Sequence, residues 1–100
     1  MTLDDYVAWA TTIHSKATIG DRDRLLSYTA LGLTSEAGEV ANEVKRLLRD
    51  GTWDADRVAE ELGDVIYYWS RLVATTGRKP GEILAASRSK IDAKVNANQS

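Results

Sequence analysis

One hundred residues, 43% hydrophobic and 28% charged, match one globular domain spanning residues 1–100. The chain has no cysteine, which excludes disulfides and thiolate metal sites, and no apolar stretch approaches membrane-spanning length. A net charge of −2 lacks the strong basic face of a dedicated DNA binder. With no basic, apolar leader at Met1-Thr2-Leu3-Asp4-Asp5, the expectation is a cytoplasmic protein with neither a DNA nor a membrane partner.

The elements are helical throughout. Leu3, Tyr6, Val7, Ala10, Ile13 and Ala17 recur at helical spacing behind Thr2, a suitable N-cap, and a break follows at Ile19-Gly20-Asp21. A second helix is expected from Arg22 to Arg49, stopping at Asp50-Gly51. Asp54 or Asp56 caps a third, reaching Thr75 or Thr76 before Gly77. Pro80 suits the first turn of a fourth, which ends near Ala97. No alternating strand pattern occurs, so the predicted fold is an all-α, four-helix domain.

Charge is uneven along this chain. Residues 1–70 carry 7 basic and 13 acidic side chains, and residues 71–100 carry 6 and 2. Either a solvated basic end helix or an acidic site served by a basic arm fits that asymmetry.

Two acidic signatures stand out. The second helix carries Ser35-Glu36-Ala37-Gly38-Glu39-Val40, with Glu43 one turn later, and the third carries Glu60-Glu61-Leu62-Gly63-Asp64-Val65. Carboxylates three residues apart lie on one side of a helix. Glu36 and Glu39 border an apolar stripe of Leu33, Ala37, Val40, Val44, Leu47 and Leu48. Glu61 and Asp64 border a stripe of Val58, Leu62, Val65, Trp69, Leu72 and Val73 on the same rotational side. In an antiparallel hairpin both flanks face one way, so the four carboxylates line one groove. With the turn centred midway between Asp50 and Trp53, Glu39 and Asp64 stand at equal height. Converging carboxylates repel unless their proton affinities rise or a cation binds. Hard oxygen ligands favour Mg²⁺, Mn²⁺ or Ca²⁺. A di-iron bundle normally uses two Glu-x-x-His motifs, whereas His14 is the sole histidine and lies outside any such motif.

Glu36-x-x-Glu39 followed by Glu61-x-x-Asp64 resembles the ExxE…ExxD signature of the MazG-like all-α nucleoside triphosphate pyrophosphohydrolases. The flanks Gly32 to Val40 and Glu60 to Tyr68 are similar to that family's two motifs, and the likeness covers about residues 25–95. The resemblance implies Mg²⁺-dependent cleavage between the α and β phosphates, with Mn²⁺ as a substitute. It implies Glu36, Glu39, Glu61 and Asp64 as metal ligands, any one of which acts as general base. It also implies a homodimer or dimer-based tetramer. Val65-Ile66-Tyr67-Tyr68-Trp69 points independently to assembly, because it makes the third helix apolar on every side.

No Gly-rich phosphate loop is present, so phosphate contacts fall to the metal and side chains. Ser87, Lys90 and Lys94 form one stripe of the fourth helix; Lys90 matches the family pattern, while Ser87 and Lys94 depart from its Asn and Arg. Lys45 also matches a basic position of the family. The resemblance places Tyr68 against the nucleotide, and Trp9 and His14 are candidates for contact with the base. Glu43 is either a fifth member of the cluster or solvated, Glu60 is read as surface, and Trp53 as outside the site. The competing readings are a metal-free helical interaction module and a carboxylate di-iron protein.

Overall fold

The computed structural model describes residues 1–13 and 22–99, with side chains as far as residue 98. Four helices follow in order: α1 (Leu3–Thr11), α2 (Arg22–Asp50), α3 (Ala55–Thr75) and α4 (Pro80–Gln99). No strand occurs among the described residues, and no helix is long and apolar enough to cross a membrane.

Local chemistry sets the helix ends. Thr2 Oγ1 accepts from the Asp5 amide at 3.0 Å and Asp5 Oδ2 accepts from the Thr2 amide at 3.3 Å, a reciprocal capping box. Helix α1 stops at Thr11, short of the Ile13 that its apolar pattern includes. The Thr11 and Thr12 hydroxyls donate to the Ala8 and Trp9 carbonyls, and backbone competition of this kind suits a terminus. His14 and Ala17 lie outside the described residues. Helix α2 ends in a left-handed cap: Gly51 has φ 74° and its amide donates to the Leu47 carbonyl at 2.8 Å. Asp54, not Asp56, caps α3, its Oδ1 accepting from the Arg57 amide at 3.1 Å.

The short connection over 51–54 folds α3 back on α2, and this hairpin is the most extensive helix–helix contact among the described residues. Helix α1 packs on α3, and α4 packs on α1. Two contacts pin the hairpin register: Gly32 lies against the Tyr68 ring, and Glu43 pairs with Arg57. Both pairs are centred on position 50, as are Glu36 with Asp64 and Glu39 with Glu61. Glu36, not Glu39, is therefore level with Asp64. The covered residues of α2 step by three and four, the spacing of a coiled coil: Leu25, Thr29, Gly32, Glu36, Val40 and Glu43, with Leu33 half-buried beside them.

The covered face of α2 is therefore mixed, polar at Thr29, Glu36 and Glu43 and apolar at Leu25, Leu33 and Val40. The buried residues include Val7, Ala10 and Val73, with Thr29, Glu43 and Ser70 among the polar ones. The stripe expected on α2 is covered only in part by its own chain: Leu33 and Val40 are half-buried, while Val44, Leu47 and Leu48 are 42%, 38% and 82% exposed.

Candidate metal centre

Helix α2 contributes Glu36 and Glu39, and helix α3 contributes Glu61 and Asp64. One carboxylate oxygen from each of Glu36, Glu61 and Asp64 can be chosen so that all three lie within 4.8 Å of one another. Glu36 and Glu61 are half-buried and Asp64 is exposed. Glu39 is exposed and lies outside this triplet, but its charge reaches Glu61. The Glu61 carboxyl is pushed above its ordinary proton affinity by burial first, then by Asp64, Glu36 and Glu39, while Arg57 opposes the rise. Burial and neighbouring negative charge both disfavour the ionised carboxylate. The donor set is oxygen only, multidentate and anionic, and it fits a hard divalent ion better than iron, zinc or copper.

Glu43 is neither solvated nor part of the triplet. It is 4% exposed, and its Oε1 accepts from Arg57 Nε at 2.7 Å, with Arg46 3.8 Å from Oε2. The sequence offered no sign of this, because the Arg57 partner is on the other helix.

Aromatic side chains border the carboxylates. Gly32 lets the Tyr68 ring lie directly on the backbone of α2, where a Cβ would collide with it. The Tyr68 hydroxyl is made less acidic by burial, then by the neighbouring Tyr28 and Glu36. Tyr67 packs edge-on to Tyr68 with centroids 5.3 Å apart, Trp9 lies 6.1 Å from Tyr67, and Tyr6 lies 5.4 Å from Trp9. Burial raises the Tyr6 proton affinity, with Tyr67 and Asp64 adding to it, so α1 closes the row back toward the cluster. Arg71 braces this row, donating to the Tyr67 hydroxyl and the Ile13 carbonyl at 3.0 Å each. Tyr28 and Arg71 escaped the sequence reading, and Tyr6 and Tyr67 entered it only as apolar positions of their helices. Tyr6 was legible three residues before Trp9, and Arg71 three after Tyr68.

The basic candidates are elsewhere. Lys45, Ser87, Lys90 and Lys94 are exposed, and among the described residues no ion pair joins these lysines to the four carboxylates. Lys90 and Lys94 ride on α4, whose main contact is with α1. Trp53 is half exposed in the turn, and His14 lies outside the described residues.

An antiparallel helical hairpin with facing carboxylate pairs and an aromatic border defines an all-α protein with an acidic, cation-suited centre. Residues 26–92 match the family described as the MazG nucleotide pyrophosphohydrolase domain, and the chain belongs to that family. It is 45% identical over 60 residues to the "Gene 37 protein" of Mycobacterium phage L5, a match covering 53% of each chain. The chain thus spans about half the length of that curated relative. No solved structure matches it.

Proposed function

We propose that the chain is a Mg²⁺-dependent pyrophosphohydrolase that converts nucleoside triphosphates and water to nucleoside monophosphates and pyrophosphate. The observation that carries this reading is the convergence of Glu36, Glu61 and Asp64 across the hairpin. With Glu39 they would hold Mg²⁺, and Mn²⁺ in its place. The ion when bound supplies positive charge against the phosphate oxygens and acidifies water. The chain itself has two tasks at the reacting bond. A carboxylate must accept the proton of the attacking water, and the substrate must be held so that water approaches the α phosphorus opposite the departing pyrophosphate. The row Tyr68, Tyr67, Trp9 and Tyr6 offers flat apolar surface beside the cluster, suited to a nucleobase.

The same reading calls for a homodimer or dimer-based tetramer. A compact monomer of 11.0 kDa would expose about 5,600 Å², but this chain exposes 7478 Å². Its Cα radius of gyration is 16.5 Å against about 13 Å for a compact domain of this length. The excess of about 1,900 Å² is within what each partner of an obligate homodimer buries. Leu31, Leu48, Leu62, Leu84 and Ile91, each at least half exposed, supply the apolar surface. A contact of Lys45, Lys90 and Lys94 with the triphosphate requires a second copy or the substrate to bring them to the cluster.

Calorimetric titration with Mg²⁺ tests the centre against a metal-free interaction module. Wild type should bind, and Glu39→Gln and Asp64→Asn should bind weakly while keeping their helicity. An absence of binding by wild type would favour the module.

A further inference from the structure

Glu43 continues the carboxylate ladder one turn nearer the connection, and its side chain is only 5% exposed. A buried carboxylate is tolerable only when paired. Its partner Arg57 comes from the opposite helix at 2.7 Å, with Arg46 as a more distant second. Glu43 is four residues from Glu39 and Arg57 four from Glu61, so each stands roughly one 5.4 Å turn from a proposed ligand. Arg57 therefore faces two acids. It touches Glu43, and its charge also acts on Glu61. Were that position neutral, the negative potential of the groove would extend a further rung.

We propose that Arg57 is a positioning residue of the metal centre: by neutralising the buried Glu43 it ends the carboxylate ladder at Glu39 and Glu61 and lowers the centre's affinity for cations. The proposal rests on the metal-binding reading of the site. It assigns Arg57 a charge role, distinct from that of a tie between helices. A tie would make both partners equivalent, since losing either would loosen the hairpin. A charge role makes them opposite. Arg57→Gln leaves Glu43 with only the more distant Arg46 against its negative charge, whereas Glu43→Gln frees the positive charge of Arg57 to act on Glu61.

The test is a calorimetric Mg²⁺ titration without nucleotide, on wild type, Arg57→Gln, Glu43→Gln and the double variant. Melts in EDTA run alongside to establish folding. Screened charges one to two turns from a divalent ion should change its affinity about three- to tenfold. Arg57→Gln should bind Mg²⁺ that much more tightly and melt lower in EDTA. Glu43→Gln should bind that much more weakly, and the double variant should return to within about twofold of wild type. Arg57→Lys, which keeps the charge and loses the guanidinium geometry, should also stay within about twofold. It serves as the test should Arg57→Gln not fold. Weaker binding in both single variants, unchanged binding in both, or a Lys variant that behaves like the Gln variant would overturn the proposal and leave the metal centre standing. A wild type that does not bind Mg²⁺ would overturn both.

Discussion

Gly32 and Tyr68 offer a quantitative check on the hairpin register. A Cβ built on Gly32 would lie 2.6 Å from Tyr68 Cζ, and closer still to other atoms of the ring. Carbon atoms need about 3.5 Å, so in Gly32→Ala the ring must retreat by about 1 Å. Overpacking of this kind costs about 1–3 kcal/mol. Alanine in a helix interior recovers about 1 kcal/mol over glycine, leaving a net loss of up to about 2 kcal/mol. Removing the ring removes the collision but keeps the propensity gain. In a Tyr68→Ala background, Gly32→Ala should therefore stabilise by about 1 kcal/mol, giving a coupling of about 1–3 kcal/mol between the sites. Urea unfolding followed by circular dichroism, at one fixed protein concentration for all four proteins, measures it. The displaced ring also leaves Tyr28 and Glu36, so Gly32→Ala should raise KM for a triphosphate more than it lowers kcat. If Gly32→Ala has the same sign and size in both backgrounds, Tyr68 does not cross α2 at this residue and the register centred on position 50 is wrong.

Three further outcomes follow from the same structure. Glu61→Gln should melt higher than wild type in EDTA near pH 8, because burial and three neighbouring carboxylates resist its ionisation. A carboxyl whose proton affinity rises on folding costs stability when ionised, so the advantage should fade as pH falls through its raised folded value and vanish below the ordinary carboxylate range. The variant should also lose most of any Mg²⁺-induced stabilisation, which for wild type amounts to about 2.7 kcal/mol at a hundredfold excess over Kd; a lower melt in EDTA would make Glu61 a structural residue. Asp54→Ala removes the α3 cap and should cost about 1 kcal/mol, lowering Tm by about 4–8 °C, whereas an unchanged Tm would show that the cap contributes nothing. Light scattering at micromolar concentration should give the mass of a dimer or tetramer, and a stable monomer would contradict the proposed assembly.

Much of this structure was readable from residue chemistry. Thr2, Gly51, Asp54 and Pro80 mark helix boundaries because capping and turn preferences act within a few residues. The acidic pairs were legible for the same reason, three-residue spacing being a property of one helix. What depends on contact between helices was harder to read. Taking the hairpin about its turn put Glu39 level with Asp64. The observed register is set instead by the Gly32–Tyr68 crossing and the Glu43–Arg57 pair, neither of which follows from periodicity. Hydrophobic periodicity named Leu33, Val40, Val44, Leu47 and Leu48 as core; Leu33 and Val40 are half-buried, whereas Val44, Leu47 and Leu48 stay exposed on the single chain and Glu36 and Glu43 take covered places instead. Burial of Glu43 runs against the ordinary expectation for a glutamate and is intelligible only once Arg57 is placed beside it.

The central claim is that the carboxylates of the hairpin support cleavage between the α and β phosphates. Product analysis tests it most directly: a panel of canonical and modified nucleoside triphosphates is incubated with the chain in Mg²⁺, and the phosphorus products are resolved by ³¹P NMR. The account predicts monophosphate and pyrophosphate in equal amounts from at least one substrate, abolished by EDTA and nearly abolished in Asp64→Asn. Diphosphate with inorganic phosphate, or equal turnover in Asp64→Asn, would contradict it.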